Sequence, residues 1–172
     1  MSMSVNCNRG QWLVGLVLVT LVALTGNNAR AEDFTVEISG KISNFTDPQR
    51  KVYDLTEKDI PVIKQATIRT STNWTKTETF TGFSARDLLT KIGATGKFLD
   101  ISCLDDYEYT IPVSDISKYD LVFAYMRNGV RMGIENLGPL ALIYPRDQHP
   151  KELGGPDVDA KFIWQISKIV VK

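Results

Sequence analysis

The sequence predicts a single α+β domain that is mostly β, and three observations support this fold class. Short stretches rich in β-branched and aromatic residues recur between turn residues, as strands do. One stretch carries a full set of helix start and stop signals. The chain has 172 residues and 43% of them are hydrophobic, which is the size and composition of one globular domain.

The first 31 residues predict a secretory signal peptide that is not part of the fold. Arg9 supplies a positive start, residues 13–24 form an apolar run, and Ala29-Arg30-Ala31 has the small-x-small form of a cleavage site. The run is shorter than the roughly 20 residues that span a bilayer, which argues against a membrane anchor. We therefore expect residues 32–172 to be exported, most simply to a bacterial periplasm.

Charge and composition argue against several classes of function. The 20 basic and 20 acidic residues balance, so the chain has no general electrostatic attraction to nucleic acid. Cys7 leaves with the signal peptide, so Cys103 has no partner for an internal disulfide. His149 is the single histidine of the sequence, and nothing marks it as a member of a zinc site or a Ser-His-Asp triad.

The first half of the mature chain contains three predicted strands and one short helix. The predicted strands are residues 34–38, 52–55 and 66–72. Thr56 and Asp59 have the spacing of a capping box, and Pro61 limits any helix there to about one turn.

The strongest helix signals surround residues 85–92. Ser84 is the expected N-cap residue, and Asp87 completes a capping box with it. Leu88 begins an apolar stripe that we expect to be buried, and Gly93 is a typical C-terminal stop.

The second half of the chain is predicted to consist mainly of strands. These strands are residues 98–104, 107–113, 121–126, 140–144 and 162–171. Asn128-Gly129 is a strong signal for a tight hairpin turn. Residues 121–126 are apolar throughout, which predicts a strand covered on both faces. Trp164 falls in the middle of the last predicted strand and is expected to be a core residue.

Cys103 could be a structural or a reactive cysteine. In a strand it would share one face with Leu99 and Ile101, because strand side chains alternate between faces. That apolar face favours a structural role over a metal-binding or reactive thiolate.

Four blocks of sequence, in this order, resemble the molybdopterin-binding domain of the sulfite oxidase family. They are FTGFSARDLLTKIGA (80–94), DDYEYTIP (105–112), AYMRNGVRM with GPLALIYPRD (124–147), and FIWQISKIVV (162–171). The resemblance covers nearly all of residues 34–172. It implies the sulfite oxidase fold and a pocket for a pterin.

Three departures from the family pattern bear on metal chemistry. Family enzymes hold molybdenum through one cysteine thiolate, whereas the corresponding stretch here offers the hydroxyls of Thr70, Ser71 and Thr72. Hydroxyls are poor substitutes for thiolate at a soft metal. The family's lysine beside the final tryptophan is replaced by Ile163, and its usual histidine before "G-x-P" is absent.

The chain is most similar to a small exported subgroup that lacks the metal-ligand cysteine. The resemblance implies that such proteins bind pterins and can signal to membrane-bound cyclic-di-GMP enzymes. We therefore expect a non-catalytic pterin sensor with no molybdenum, no catalytic residue and a membrane signalling protein as partner. The alternatives are a molybdopterin-dependent oxidoreductase, and an interaction domain that has lost the pocket.

A pterin site needs an aromatic face, a carboxylate for the donor edge, and Arg or backbone N–H groups for the acceptor edge. Candidate residues for these roles fall in three loops. They are Arg69, Asn73 and Trp74 in the first loop, Asp106 and Tyr107 in the second, and Tyr144, Arg146 and Asp147 in the third.

Each loop also has a purely structural explanation. Trp74 could belong to a satellite core instead of stacking on a ligand. Asp105-Asp106 could be a simple turn between strands, and we favour Asp106 over Asp105 as a site residue. Arg146 and Asp147 could form a solvated ion pair.

Overall fold

Two β-sheets share one hydrophobic core in the part of the chain that the structure describes. A computed structural model describes residues 34–172, so the predicted signal peptide lies outside the described residues. The mixed architecture of many strands and few short helices confirms the predicted α+β fold class.

The strands and helices have the following bounds. In chain order the strands are β1 (Thr35–Gly40), β2 (Tyr53–Thr56), β3 (Gln65–Thr70), β4 (Glu78–Ser84), β5 (Phe98–Cys103), β6 (Glu108–Pro112), β7 (Val122–Arg127), β8 (Val130–Arg131), β9 (Ala141–Ile143) and β10 (Ile166–Val171). The α-helices are α1 (Ala85–Lys91), α2 (Val113–Tyr119) and α3 (Pro150–Leu153). Short 3₁₀ helices span Glu57–Asp59, Ile134–Asn136, Arg146–Gln148 and Pro156–Lys161.

The first sheet brings the two ends of the described chain together. Its strand order is β2-β1-β10-β5-β6. β1 and β10 are parallel, and the other neighbours are antiparallel. The parallel pair closes the domain because β1 comes first and β10 last among the described strands.

The second sheet is antiparallel and centred on β7. Its order is β3-β4-β7-β8, and β9 also pairs with β7. Residues Val122, Phe123, Ala124 and Tyr125 of β7 are all buried, which confirms that this strand is covered on both faces. Gly82 of β4 is required here because a Cβ atom would lie 2.0 Å from the carbonyl oxygen of Phe123.

Helix α1 and the hairpin between β7 and β8 confirm the local sequence signals. The Ser84 hydroxyl accepts a hydrogen bond from the Asp87 amide, and Leu88 is fully buried. Asn128 and Gly129 both have positive φ angles, as the tight hairpin turn requires.

Two elements differ from the sequence prediction. Helix α2 was not predicted because Pro112 precedes it without a capping side chain and Asp120, in a left-handed conformation, ends it in place of glycine. The last strand begins at Ile166 and not at residue 162, because Gln165 has a positive φ of 52° that interrupts extended backbone. Trp164 therefore lies before the strand and not in the middle of it.

Candidate functional site

A cavity of about 490 Å³ opens where the loops after β3 and β5 approach the segment before β10. This volume is typical of small-molecule sites. The cavity is lined by Asn73, Trp74, Cys103, Asp105, Tyr107, Leu137, Asp159, Ala160, Phe162, Trp164 and Gln165. The wall combines aromatic rings with carboxylates, which is a suitable surface for a flat polar heterocycle.

Two tryptophans give the cavity its aromatic character. Trp74 is 70% exposed at the rim, so it does not belong to the core. Trp164 packs its ring 6.4 Å from that of Phe80, and its indole Nε1 is buried with no hydrogen-bond partner among residues 34–172. Buried indole N–H groups usually have an acceptor, so this donor lacks the partner that such a group normally has.

Internal hydrogen bonds hold the loop that carries Trp74. The Thr72 hydroxyl accepts from the backbone amides of Trp74 at 3.1 Å and Thr75 at 3.0 Å. The buried Thr70 hydroxyl donates to the Ser71 carbonyl at 3.2 Å and accepts from the Asp147 amide at 3.1 Å. These hydroxyls thus shape the loop and are engaged within the protein.

Asp147 fastens this loop and does not line the cavity. Its carboxylate accepts from the Ser71 amide at 3.0 Å, the Ser71 hydroxyl at 2.5 Å and the Thr77 hydroxyl at 2.8 Å. These hydrogen bonds, the one from the Ser71 hydroxyl above all, lower the pKa of Asp147. Asp147 is therefore placed beside the cavity, with its acceptor atoms engaged by the loop, and its predicted role in pterin binding stays a prediction.

Arg146 lies behind the cavity wall. Its Nε donates to the Leu153 carbonyl at 3.0 Å, its Nη2 pairs with Asp159, and its guanidinium lies 4.7 Å from the centre of the Phe162 ring. The side chain is 15% exposed. Asp159 and Phe162 both line the cavity, so Arg146 positions the wall. It is neither a lining residue nor part of a solvated ion pair with Asp147.

Tyr144 is also a support residue. It is fully buried, and its hydroxyl donates to Asp115 Oδ2 at 3.0 Å. The Lys161 ammonium donates to the same oxygen at 2.8 Å. Burial, reinforced by the Asp115 carboxylate, raises the pKa of Tyr144. This cluster ties the segment before the last strand to the core. Tyr144 is not among the residues that line the cavity, and its predicted role in pterin binding stays a prediction.

In the turn between β5 and β6, the two aspartates lie differently with respect to the cavity. Asp105 lines the cavity, and its Oδ1 accepts from the Tyr107 amide at 3.1 Å. Asp106 has a positive φ of 66° and is exposed outside the lining, so it is a turn residue. Tyr107, one of the predicted pterin-binding residues, lines the cavity, and its hydroxyl donates to the Ala160 carbonyl at 3.4 Å.

Of the remaining predicted residues, Asn73 lines the cavity beside Trp74. Arg69 does not, because it lies on the exposed side of the edge strand β3, opposite Thr79. The structure thus brings Asn73, Trp74 and Tyr107 together from the predicted set.

Residues 159–165 contribute a large part of the wall, and none of them was a predicted site residue. These residues were assigned in part to a continuous strand, which would place alternate side chains in the core. The sequence Gly154-Gly155-Pro156 indicates irregular backbone shortly before this segment, and it could have predicted that these residues form a loop.

Cys103 is part of the cavity wall and of the hydrophobic core. It is buried, and burial together with the nearby Asp105 carboxylate raises the pKa of the thiol to about 11. A thiol with this pKa is neutral near pH 7, whereas metal ligands and nucleophiles are thiolates. Its environment supports the structural role expected from strand alternation.

These features define an α+β domain with an aromatic and acidic cavity. The chain belongs to the oxidoreductase molybdopterin binding domain family, whose sequence profile matches residues 27–148. Among the curated proteins compared, none matches the chain.

The fold is similar to that of a solved structure, the sulfane dehydrogenase SoxCD from Paracoccus pantotrophus. The TM-score is 0.57 at 14% sequence identity, and the match covers 80% of this chain. This chain spans 38% of the length of the SoxCD chain.

The pocket fits one part of the family's cofactor better than the others. The aromatic rings and the unpartnered Trp164 N–H suit a pterin ring. The hydroxyls of Thr70 and Thr72 are engaged internally, and Cys103 is held as a neutral thiol, so none of these groups is prepared as a metal ligand. Among residues 34–172, no group of three or more His, Cys, Asp or Glu side chains could hold a metal ion.

Within the same residues, no helix has the length and apolarity to cross a bilayer.

Proposed function

We propose that this chain is an exported, non-catalytic pterin-binding protein. Membership of the molybdopterin-binding family and the aromatic, acidic cavity support this function. The observation that carries it is the buried, unpartnered N–H of Trp164 in a cavity whose rim holds the exposed ring of Trp74.

The cavity offers each interaction that a pterin needs. Trp74 and Tyr107 provide aromatic faces, and stacking on one such ring contributes about 1–3 kcal/mol. The carboxylate of Asp105 or Asp159 can accept hydrogen bonds from the 2-amino group and N3–H of the ring. The Trp164 N–H can donate to O4 or N5 on the adjacent edge of the ring.

We propose that the bound ligand lacks molybdenum. The residues that occupy the place of the family's cysteine are Thr70, Ser71 and Thr72, and their hydroxyls hold the Trp74 loop together. A metal would have to displace these hydrogen bonds or draw a proton from the buried Cys103 thiol. Both requirements favour ligand binding over metal-based catalysis.

We further propose that the protein acts in the periplasm as a sensor for a membrane signalling protein such as a cyclic-di-GMP enzyme. The predicted signal peptide and the resemblance to the exported subgroup support this role. Trp74 is exposed at the rim, so a ligand that stacks on its ring would change the surface that a partner protein contacts.

Calorimetry and tryptophan fluorescence test pterin binding. Residues 32–172 should bind a reduced or an oxidised pterin, and Trp74→Ala should weaken binding by roughly ten- to a hundredfold, from the stacking energy. Val62→Ala is the control, because Val62 is also exposed but lies outside the cavity. Folded protein that gives no heat with a panel of pterins would contradict the proposal.

The second candidate is a molybdopterin-dependent oxidoreductase, which family membership favours. Metal analysis of protein from molybdenum-replete cells separates the two candidates. Stoichiometric molybdenum would support the oxidoreductase, whereas protein that binds pterin without molybdenum supports the sensor.

A further inference from the structure

The cavity wall is acidic. It contains the carboxylates of Asp105 and Asp159, and none of its lining residues within the described chain is Lys, Arg or His. Asp105 is exposed, and one of its oxygens accepts the Tyr107 amide. Any anionic group on a ligand would therefore enter a space whose charged side chains are negative.

The nearby basic side chains are engaged elsewhere or lie outside the wall. Arg146 is bound to Asp159 and the Leu153 carbonyl and stacked on Phe162, so its guanidinium faces the back of the wall. Lys161 is bound to Asp115 at 2.8 Å. Lys76 is exposed two residues after Trp74 but does not line the cavity.

A phosphate monoester is poorly matched to this wall. It carries a charge of about −1.5 to −2 near pH 7 and is normally bound by Arg, Lys or clustered backbone N–H groups. The lining provides instead the carboxylate of Asp105, which has no ion-pair partner within the part of the chain that the structure describes. Molybdopterin carries such a phosphate, so the wall does not match that part of the family's cofactor.

We propose that this pocket selects flat heterocycles without a phosphate and discriminates against their phosphorylated forms. The inference rests on the proposed pterin-binding function and defines the chemical class of its ligand. Asp105 is exposed, so an effective dielectric constant of about 40, between the surface and bulk-water values, applies to its interactions. At about 10 Å from a phosphate of charge about −1.5 to −2, the repulsion then corresponds to roughly a tenfold difference in Kd.

The test compares two ligands that differ in the phosphate alone. Residues 32–172 are titrated with 6-hydroxymethylpterin and with its monophosphate ester at low and high salt. We expect the parent to bind about tenfold more tightly, with the ratio of the two Kd values falling as salt screens the repulsion.

Single variants test whether the carboxylates of the cavity wall cause the weaker binding of the phosphate ester. Asp105→Asn and Asp159→Asn should each move the ratio of Kd values towards one, whatever they do to the affinity of the parent. Asp120→Asn should leave the ratio unchanged, because Asp120 pairs with Arg86 outside the cavity. Circular dichroism verifies that each variant is folded.

The outcomes separate this inference from the proposed function. If the ester binds as tightly as the parent or more tightly, the inference is wrong while pterin binding stands. Loss of tight ester binding in Lys76→Gln would then show that this exposed lysine supplies the phosphate site. If neither compound binds to the folded protein, both the function and the inference fail.

Discussion

Arg146→Met should destabilise the domain because it removes the support of the cavity wall. The guanidinium makes a charged hydrogen bond to Asp159, a hydrogen bond to the Leu153 carbonyl and a cation–π contact with Phe162. Methionine keeps most of the apolar stem and removes the charge. The change therefore isolates the guanidinium's contribution.

The contacts set the size of the effect. A hydrogen bond to a charged group contributes about 1.5–3 kcal/mol, and a cation–π contact contributes about 0.5–2 kcal/mol. Asp159 is 41% exposed, so water replaces part of the lost interaction. We therefore expect a loss of about 2 kcal/mol in the free energy of unfolding. In a domain of this size that loss lowers Tm by about 6 °C.

Arg86→Met is the matched control. Arg86 also binds one carboxylate, that of Asp120, and one carbonyl, that of Ser117, but it is 57% exposed and Asp120 is 81% exposed. Exposed pairs contribute about 1 kcal/mol or less, so this variant should lose little stability.

Urea unfolding and pterin titration of both variants test the reasoning. In Arg146→Met, stability and pterin affinity should fall together, because Asp159 and Phe162 lose their common anchor. An unfolding midpoint equal to that of Arg86→Met would refute the support role. A loss of affinity at unchanged stability would show instead that Arg146 contacts the ligand directly.

Three further predictions concern single groups. Tyr144→Phe removes the hydrogen bond from the Tyr144 hydroxyl to the buried carboxylate of Asp115. The free energy of unfolding, measured in urea, should therefore fall by about 1–2 kcal/mol. The Cys103 thiol, with its pKa of about 11, should resist a thiol reagent at pH 7.5 until the protein unfolds; rapid labelling of folded protein would contradict its neutral, buried state. Hydrogen bonds lower the folded pKa of Asp147, so its carboxylate stabilises the fold above the unfolded pKa and loses this effect as pH falls through the folded pKa. The difference in urea midpoint between wild type and Asp147→Asn should therefore be present at pH 7 and shrink below about pH 4; a constant difference would contradict the assignment.

Local signals predicted most of the fold because they act over a few residues. Ser84 and Asp87 specify the start of α1, and Asn128-Gly129 specifies the hairpin. Helix α2 was missed because it has no such cap and is stabilised instead by burying Ile116 and Tyr119 against the core. That packing depends on residues far away in the chain.

The site was harder to predict because it depends on how loops meet. Asn73 and Trp74 were predicted because they follow a strand, and Tyr107 because it corresponds to a tyrosine of the family that the sequence resembles; all three line the cavity. Arg146 and Asp147 lie in the predicted loop, but their side chains turn towards the protein and hold other segments. The direction of a side chain at a strand end depends on the neighbouring segments, which the sequence alone does not specify.

The molecule that co-purifies with the protein from its native host tests the central claim most directly. Mass spectrometry of the released ligand, with metal analysis of the same sample, should show a pterin without phosphate and no stoichiometric molybdenum. Phosphorylated molybdopterin together with one molybdenum per chain would contradict the claim that the cavity binds a pterin without phosphate and without metal.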